Sequence, residues 1–412
     1  MTDASSRRGP LTHIRVLDLG RIMAAPWATQ MLADLGAEVI KIERPESGDD
    51  TRSWGPPFLA DRDGNPTCEA GYYLSVNRGK RSVAVDIATP EGQKIIRELA
   101  ERADVVIENF KAGALARYGL DATSLRAIKP DLIYCSVTGF GQDGPRRDQA
   151  AYDFAIQAMG GLMSVTGERD DLPGGGPQKV GVPVIDLFTG MYAAVAILAA
   201  LNRRATTGQG ETIDLAMLDV AAALLSNQAM NHLVSGRTPQ RGGNRHPNIQ
   251  PQDVFSCADG RIVLAVGNDS QFARLCAILE MPDLAADPRF ATNAARVDAN
   301  AALTLLLRQA FGGLDRSALL ARLDAAGVPA APINSVPDAL ADPQIVHRGM
   351  VRSLPHPLAG MVPQIVSPMR FADAPLHFER APPLLGQDTA DILAQLGYDG
   401  EQCAALARRN VI

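Results

Sequence analysis

Short apolar runs typical of β-strands alternate with stretches of helical periodicity in the first half of the chain. The predicted strands are His13–Leu19, Glu38–Arg44, Arg81–Ile87, Asp104–Ile107 and Leu132–Val137. Helices are predicted at Ala28–Gly36, after the capping sequence Thr89-Pro90-Glu91, and at Leu120–Ile128. This alternation predicts a mainly parallel sheet covered by helices, the doubly wound α/β fold.

One carboxylate interrupts the most apolar part of the sequence. Leu187–Leu201 is apolar all the way round a helical repeat, which predicts a buried helix of about four turns. Asp186 lies in or just before its first turn. It is either an N-cap, stabilised by unpaired N–H groups and the helix dipole, or a nucleophile with those N–H groups available to hold an oxyanion.

The second half of the chain changes in composition. A strand at Thr212–Ala216 and a helix at Asp219–Leu233 precede Ser235–Gln252, a Gly- and Pro-rich segment that is predicted to be a linker or a substrate loop. Two strands around Ala258-Asp259-Gly260 and helices from Ser270, at Asn300–Phe311 and at Arg316–Ala326 predict a smaller α+β domain. A strand in VPAAPI from Val328 and a last helix at Thr389–Leu396 predict a return to the large domain. The predicted divisions are 1–215 for the large domain, 216–252 for a linker helix and substrate loop, 253–327 for the small domain and 328–412 for the return.

Composition and charge narrow the possible partners. The 412 residues are 46% hydrophobic and 21% charged, as in globular proteins of two or three domains, and the net charge of −6 gives no general attraction to nucleic acid. The apolar run Met191–Leu201 is too short to span a bilayer, and the N-terminal sequence MTDASSRRGP lacks the apolar core of a signal peptide. Five scattered cysteines indicate reduced thiols. We therefore expect a cytoplasmic protein without a membrane or nucleic-acid partner.

Several common chemistries are not supported by the sequence. The loop Gly20–Pro26 after the first strand lacks G-x-G-x-x-G, so no NAD is expected, and Gly139-Phe140-Gly141 and Gly174–Gly176 are predicted turns. No G-x-S-x-G motif occurs. No metal is expected, because the histidines show no ligand spacing with cysteines or carboxylates; they are His13, His232, His246, His347, His356 and His377.

Many separate motifs support one family resemblance. They are VLDLGRIMAAP, ADLGAEVIKIERPESGDDTRSW, NRGKRSVAVDIATPEG, DVVIENFKAGALARYGL, YCSVTGFGQDGP and PLLGQDTADILAQLG. With these motifs the chain resembles the family III CoA-transferases, the group of formyl-CoA and carnitine CoA-transferases and alpha-methylacyl-CoA racemases, over nearly its whole length. The resemblance implies a Rossmann-like large domain built from both chain ends, a smaller middle domain and an interlocked homodimer.

The resemblance also implies a catalytic residue and a CoA site. Asp186, in VIDLFTGM, matches the family's nucleophile, which favours the nucleophile over the N-cap. In the family this aspartate attacks an acyl-CoA thioester to give a mixed anhydride, and returning CoA then forms an aspartyl-CoA thioester. Coenzyme A enters only as the acyl-CoA substrate. The residues implied to bind CoA are Met23, Ala24, Arg44, Asn109, Phe110, Arg117 and Tyr152.

Two stretches of the sequence also indicate which substrates the enzyme uses. KVGVPVIDLFTGMYAAVAILAAL and PQDVFSCADGRIVLAVGNDSQF look most like the branch that uses succinyl-CoA with small dicarboxylates. Arg245 and His246 are predicted to receive the second carboxylate, and the alternative is a solvated loop. Two other functions stay open: a racemase, disfavoured because Tyr152 replaces its histidine, and a non-catalytic CoA-ester-binding protein. Arg21 and Met23 replace the His and Gln of the formyl-CoA branch, which argues against a formyl or oxalyl substrate.

Overall fold

The computed structural model describes residues 9–376 and 378–412. The first eight residues, which belong to the N-terminal sequence discussed above, and His377 lie outside this description. Of the described residues, 9–161, 180–226 and 344–412 form a larger compact unit, and 162–179 and 227–343 form a smaller one. The segment 162–179, predicted to belong to the large domain, and the segment 328–343, predicted to return to it, both lie in the smaller unit. The predicted linker 216–252 is divided, with 216–226 in the larger unit and 227–252 in the smaller one.

The strands of the described chain fall into four sheets. They are β1 (Arg15–Asp18), β2 (Glu38–Glu43), β3 (Phe58–Ala60), β4 (Pro66–Ala70), β5 (Arg81–Ala84), β6 (Val105–Glu108), β7 (Ile133–Thr138), β8 (Glu211–Ala216), β9 (Gln252–Cys257), β10 (Gly260–Ala265), β11 (Ala330–Pro332), β12 (Val351–His356) and β13 (Gly360–Ile365).

The α-helices connect and cover these strands. They are α1 (Ala24–Asp34), α2 (Gly71–Leu74), α3 (Pro90–Arg102), α4 (Ala122–Ile128), α5 (Asp153–Met159), α6 (Leu162–Val165), α7 (Val184–Thr207), α8 (Met217–Leu224), α9 (Ser226–Ser235), α10 (Asp269–Ile278), α11 (Pro282–Ala286), α12 (Asn293–Asp298), α13 (Asn300–Gly312), α14 (Arg316–Ala325), α15 (Val336–Leu340), α16 (Pro343–His347), α17 (Thr389–Leu396) and α18 (Gly400–Arg408).

The larger unit is built on a six-stranded parallel sheet of order β5-β2-β1-β6-β7-β8. Val16 of β1 pairs with Val39 on one side and with Val105 on the other. The chain therefore reverses its winding direction between β1 and β6, as in the Rossmann order of strands, and leaves a crevice at the carboxyl ends of these two strands. The prediction of a mixed α/β fold with a parallel central sheet is confirmed.

Helices cover both faces of this sheet. On one face, α1 and α7 pack against strand residues such as Val39 and Ile107. On the other, α3 and α4 pack together with α17 and α18, whose Leu393 and Leu406 are buried in the same core. The C-terminal helices thus complete a layer begun by the N-terminal half of the chain.

Helix α7 has 24 residues, longer than the four turns predicted, and by length and composition alone it is apolar enough to cross a membrane. Its inward face packs against the sheet through Ala193 and Ile197, which are fully buried. A Cβ atom added to Gly190 would lie 2.6 Å from the carbonyl oxygen of Ala24 and 2.9 Å from Trp27. Glycine at this position therefore permits the close approach of α7 to α1.

The smaller unit contains an antiparallel sheet of order β11-β10-β9 and the helices α10 to α14. Its core is rich in aromatic rings. Phe255 and Phe311 lie 5.0 Å apart between ring centroids, and Phe272 and Phe290 are buried in the same cluster. The predicted strands around Ala258-Asp259-Gly260 are confirmed.

Three features differ from the sequence-based predictions. The single helix predicted at Asp219–Leu233 is two helices, α8 and α9, with Ser226 at a φ of 41° where α9 begins. Thr389–Leu396 is not the last helix, because α18 follows it. The Pro-rich passage also forms the antiparallel hairpin β12–β13, whose Leu354 and Val362 are buried with Tyr73.

Candidate functional site

The loop after β1 is fixed across the sheet crevice by Asn109, which follows β6. The Asn109 side chain accepts a hydrogen bond from the Arg21 N–H at 2.8 Å and donates one to the Arg21 carbonyl at 2.7 Å. Crevices of this kind, at a reversal of strand order, bind ligands in doubly wound folds. Asn109, which is predicted to line the CoA groove, therefore positions the backbone of the loop after β1, on the other side of the crevice.

Buried charged side chains also hold the loop after β1 in place. Lys41 of β2, 1% exposed, donates to the Gly20 carbonyl and to Asp49, both at 2.8 Å. Both Asp49 carboxylate oxygens accept from the N–H of Ile22 at 3.2 Å. Burial alone would raise the Asp49 pKa, but Lys41 and the bonds from Thr51 lower it to about 2. Asp49 thus stays ionised and holds Ile22 at a φ of 69°, a strained conformation for a β-branched residue.

Lys80 belongs to the same buried network. Its ammonium group lies 3.0 Å from the Asp18 carboxylate and donates to the Pro26 carbonyl in α1 at 3.0 Å. Burial lowers the Lys80 pKa to about 8, partly offset by Asp18. No prediction from the sequence included this network, although a lysine inside the apolar strand pattern EVIKIE was a visible signal.

A small cavity opens beside this loop and places two of the predicted CoA-binding residues together. Arg44 and Phe110 both line it, with Arg21 and Lys41. The Arg21 guanidinium lies 5.0 Å from the centroid of the Phe110 ring, within range of a cation–π contact. The cavity volume is 70 Å³, too small for a whole CoA molecule.

The other residues predicted to bind CoA lie in different surroundings. Arg117 is exposed and stacks on Tyr118, with 4.5 Å between its guanidinium carbon and the ring centroid. Met23 and Ala24 are 5% and 1% exposed, so a ligand would meet mainly their backbone. Tyr152, which directly precedes α5, is 62% exposed.

Asp186 is the third residue of α7 and lies next to a second acid, Asp153 of α5. The Asp153 carboxylate accepts from the backbone N–H of Ile185 at 2.7 Å and of Asp186 at 3.2 Å. Within the described residues, no hydrogen bond reaches the Asp186 carboxylate itself. Burial, followed by the negative charge of Asp153, raises the pKa of Asp186 to about 7.

This geometry corrects two expectations about Asp186. The N-cap position belongs to Pro183 and Asp186 is already the third residue of the helix, so the N-cap interpretation is wrong. The N–H groups of Val184 and Leu187 also donate to backbone carbonyls, at 2.8 and 3.0 Å. The first turn of α7 therefore leaves none of these four N–H groups free to hold an oxyanion.

Tyr72 lies within electrostatic range of Asp186 and Asp153, a proximity that the sequence does not predict. Burial, with the charges of Asp186 and Asp153, raises its pKa above the usual range. Its ring packs edge-on against Trp54, with centroids 5.1 Å apart. No local pattern in GYYLSVNRGK distinguishes Tyr72 from Tyr73, which is buried against Glu43 and Arg52.

Arg245 and His246, the predicted substrate residues, both line one polar cavity within the smaller unit. Among residues 9–376 and 378–412, no group of three or more His, Cys, Asp or Glu side chains is arranged to hold a metal ion. All five cysteines are free.

The family model "CoA-transferase family III" matches residues 11–389. The chain belongs to this family. It is an enzyme of the CoA-transferase type, and such enzymes use acyl-CoA as a substrate.

Relatives extend over nearly the whole chain. A succinate–glutarate CoA-transferase of Agrobacterium fabrum is 50% identical over 396 residues, covering 96% of this chain and 98% of its own length. A succinyl-CoA:glutarate CoA-transferase of Homo sapiens is 42% identical over 404 residues, covering 98% and 90%. The crystal structure of a CAIB/BAIF family protein from Brucella suis, 50% identical, superposes with a TM-score of 0.83 over 95% of this chain and 100% of that one.

Proposed function

We propose that the enzyme transfers CoA from succinyl-CoA to a small dicarboxylate of the glutarate class. The single observation that supports catalysis at Asp186 is its carboxylate, partly buried and without a hydrogen-bond donor among the described residues. A carboxylate that is partly desolvated and unpaired is a stronger nucleophile than one in water. The names of the relatives from Agrobacterium fabrum and Homo sapiens support the choice of substrates.

The proposed reaction returns Asp186 to its starting state. Its carboxylate oxygen attacks the succinyl thioester carbon, the C–S bond breaks, and CoA leaves as the thiolate with a mixed anhydride formed. The thiolate then attacks the aspartyl carbonyl and releases succinate, leaving an aspartyl-CoA thioester. A glutarate carboxylate attacks this thioester, and the released thiolate finally attacks the glutaryl carbonyl to give glutaryl-CoA and free Asp186. No metal or NAD takes part in any step.

The test of Asp186 combines loss of activity with a covalent mark. Asp186→Asn should abolish transfer from succinyl-CoA to glutarate while CoA-ester binding is kept. In the unaltered enzyme given succinyl-CoA, hydroxylamine should convert Asp186 to a hydroxamate in a tryptic peptide, read by mass spectrometry. Transfer by the variant at the original rate would reject Asp186, and preference for butyryl-CoA over succinyl-CoA would reject the dicarboxylate.

For CoA binding, we propose contacts from Arg44, Phe110, Arg117 and Tyr152. We also propose contacts from the backbone of Met23 and Ala24, where the loop positioned by Asn109 leads into α1. A charge-assisted bond to phosphate contributes about 1.5–3 kcal/mol, so Arg44→Ala and Arg117→Ala should each raise the KM for succinyl-CoA about ten- to a hundredfold. Arg62→Ala is the matched control, because Arg62 is exposed and outside the cavity of Arg44. An unchanged KM in both variants would remove these arginines from the CoA site.

The protein is further proposed to act as an interlocked homodimer in the cytoplasm. An exposed apolar stripe on α7 supports a partner chain: Phe188, Met191, Tyr192 and Val195 are 37%, 47%, 46% and 64% exposed at helical spacing. A second copy covering this stripe should give twice the monomer mass in solution by light scattering. Val195→Glu should then yield monomers, whereas a monomeric unaltered protein would contradict the dimer.

A further inference from the structure

A polar cavity of 520 Å³ lies entirely within the smaller unit. It forms between the segment 240–250, the turn that follows α6, and the helices α9, α12 and α13. Arg241, Arg245, His246 and Asn300 are among the polar residues that line it. The cavity is large enough for a small organic acid with several carbon atoms.

The charges around this cavity leave one cation uncompensated. Arg169 forms a two-bond ion pair with Asp171, at 2.8 and 2.5 Å, and Arg241 contacts Asp170. In the described chain, no carboxylate forms an ion pair with the Arg245 guanidinium. The Asp171 charge does interact with Arg245, but Asp171 is already paired with Arg169. The three arginines and two aspartates that line the cavity therefore leave one positive charge to pair with an anion.

Three residues that line the cavity carry a buried hydrogen-bond donor without an acceptor in the described part of the chain. Asn300 is 7% exposed, and its buried Nδ2 has no partner among the described residues. The buried Nε groups of Arg241 and Arg245 also lack one there. A buried donor without an acceptor is costly, so these three groups favour a ligand that supplies oxygen atoms.

His246 contributes a donor as well. Its Nδ1 accepts from the backbone N–H groups of Asn248 and Ile249, both at 3.1 Å. The neutral ring therefore carries its proton on Nε2. An apolar ligand would leave all of these donors unpaired, and a cation would be repelled by Arg245.

We propose that this cavity binds a small organic carboxylate, with Arg245 as its ion-pair partner and Asn300 as a buried amide donor. The planar guanidinium of arginine suits a carboxylate because it can pair with both oxygens. The carboxylate is either part of the dicarboxylate substrate of the proposed function or a separate organic acid. The proposal concerns binding alone, so it can fail or succeed independently of catalysis at Asp186.

Binding is tested by calorimetric titration of the full-length, CoA-free protein with glutarate. Asn300→Asp keeps the side-chain shape but places a negative charge at the donor, and Arg245→Gln removes the cation. Each should weaken glutarate binding about tenfold or more. Arg237→Gln is the matched control: it removes the same charge from an exposed residue that lies just before this segment and does not line the cavity. It should leave the affinity unchanged.

A kinetic measurement then separates the two sources of the carboxylate. If Arg245→Gln raises the KM for glutarate by the same factor as the Kd, the cavity ligand is the substrate. An unchanged KM with weakened binding identifies a separate organic acid. Both outcomes support the site. Equal glutarate affinity in the unaltered protein, Asn300→Asp and Arg245→Gln, or no binding at all, would overturn it, whether or not the enzyme transfers CoA.

Discussion

Replacing Asp153 by asparagine should change the pH at which the enzyme becomes active. Asp153 caps α7 by accepting two backbone N–H groups, and it also places a negative charge beside Asp186. An asparagine side chain offers the same oxygen acceptor without the charge. Asp153→Asn therefore keeps the acceptor for the α7 N–H groups and removes the charge, while it also loses the bond that the other Asp153 oxygen accepts from the Gln157 amide.

The structure bounds the size of this effect. Burial is the larger cause of the rise in the Asp186 pKa from 3.8 to about 7, and the Asp153 charge is the smaller. Removing that charge should therefore lower the Asp186 pKa by at most about 1.5, to a value between about 5.5 and 7. Because only the ionised carboxylate attacks a thioester, activity rises with pH through the Asp186 pKa. At pH 6, a pKa of about 7 leaves about a tenth of Asp186 ionised, so the variant gains most there.

The assay is the pH dependence of kcat/KM for succinyl-CoA at saturating glutarate, measured from pH 5 to 9. Asp148→Asn is the matched control, since Asp148 has an 85% exposed side chain and pairs with Arg147. Its profile should coincide with that of the unaltered enzyme. A midpoint for Asp153→Asn that stays in place or moves upward would refute the assignment of that midpoint to Asp186 beside Asp153.

Three further outcomes test other parts of the structure. Asn109→Ala removes both bonds to the Arg21 backbone and should raise the KM for succinyl-CoA about tenfold, measured by initial rates. Gly190→Ala should lower the free energy of unfolding in urea by about 1–3 kcal/mol, because the new methyl group meets the Ala24 carbonyl at 2.6 Å. A carboxyl group with a raised folded-state pKa destabilises the fold increasingly as pH rises from about 4 to 7. Asp186→Asn should therefore raise the free energy of unfolding by about 2–4 kcal/mol at pH 8 and by little at pH 4, checked by denaturation at both pH values.

Local signals predicted much of the larger unit correctly. Thr89 caps α3 as expected, accepting from the Gly92 N–H at 3.0 Å, and β2 follows the apolar run of EVIKIER. Helix α18 was missed although its signal was also local: Asp399 and Gln402 form a capping box. The break at Ser226 had no comparable signal, since the residues on either side continue a helical pattern.

The chemistry of the site depended on contacts that no local pattern contains. Motif resemblance identified Asp186, but its neighbour Asp153 lies 33 positions away in sequence. Asn109 meets the Arg21 backbone across 88 positions, and only the parallel pairing of β1 with β6 brings them together. Spacing in the sequence cannot predict such pairs, because they follow from the order of strands in the sheet.

Asp153 and Asp186 lie together at the start of α7 and have different roles. Asp153 caps the helix and Asp186 is the proposed nucleophile, and one carboxylate could not do both well. A carboxylate that caps a helix accepts N–H bonds, and these bonds stabilise its charge and weaken it as a nucleophile. Here Asp153 accepts those bonds, so the Asp186 carboxylate lies at the same helix end without them. Because the Asp186 carboxylate lacks these bonds and is partly buried, its pKa is about 7, and Asp186 is protonated in a fraction of the enzyme molecules at neutral pH. A pKa near neutrality also makes the ionised Asp186 a better nucleophile than an ordinary aspartate. Its surroundings stabilise the negative charge less, so its oxygen more readily donates an electron pair to the thioester carbon.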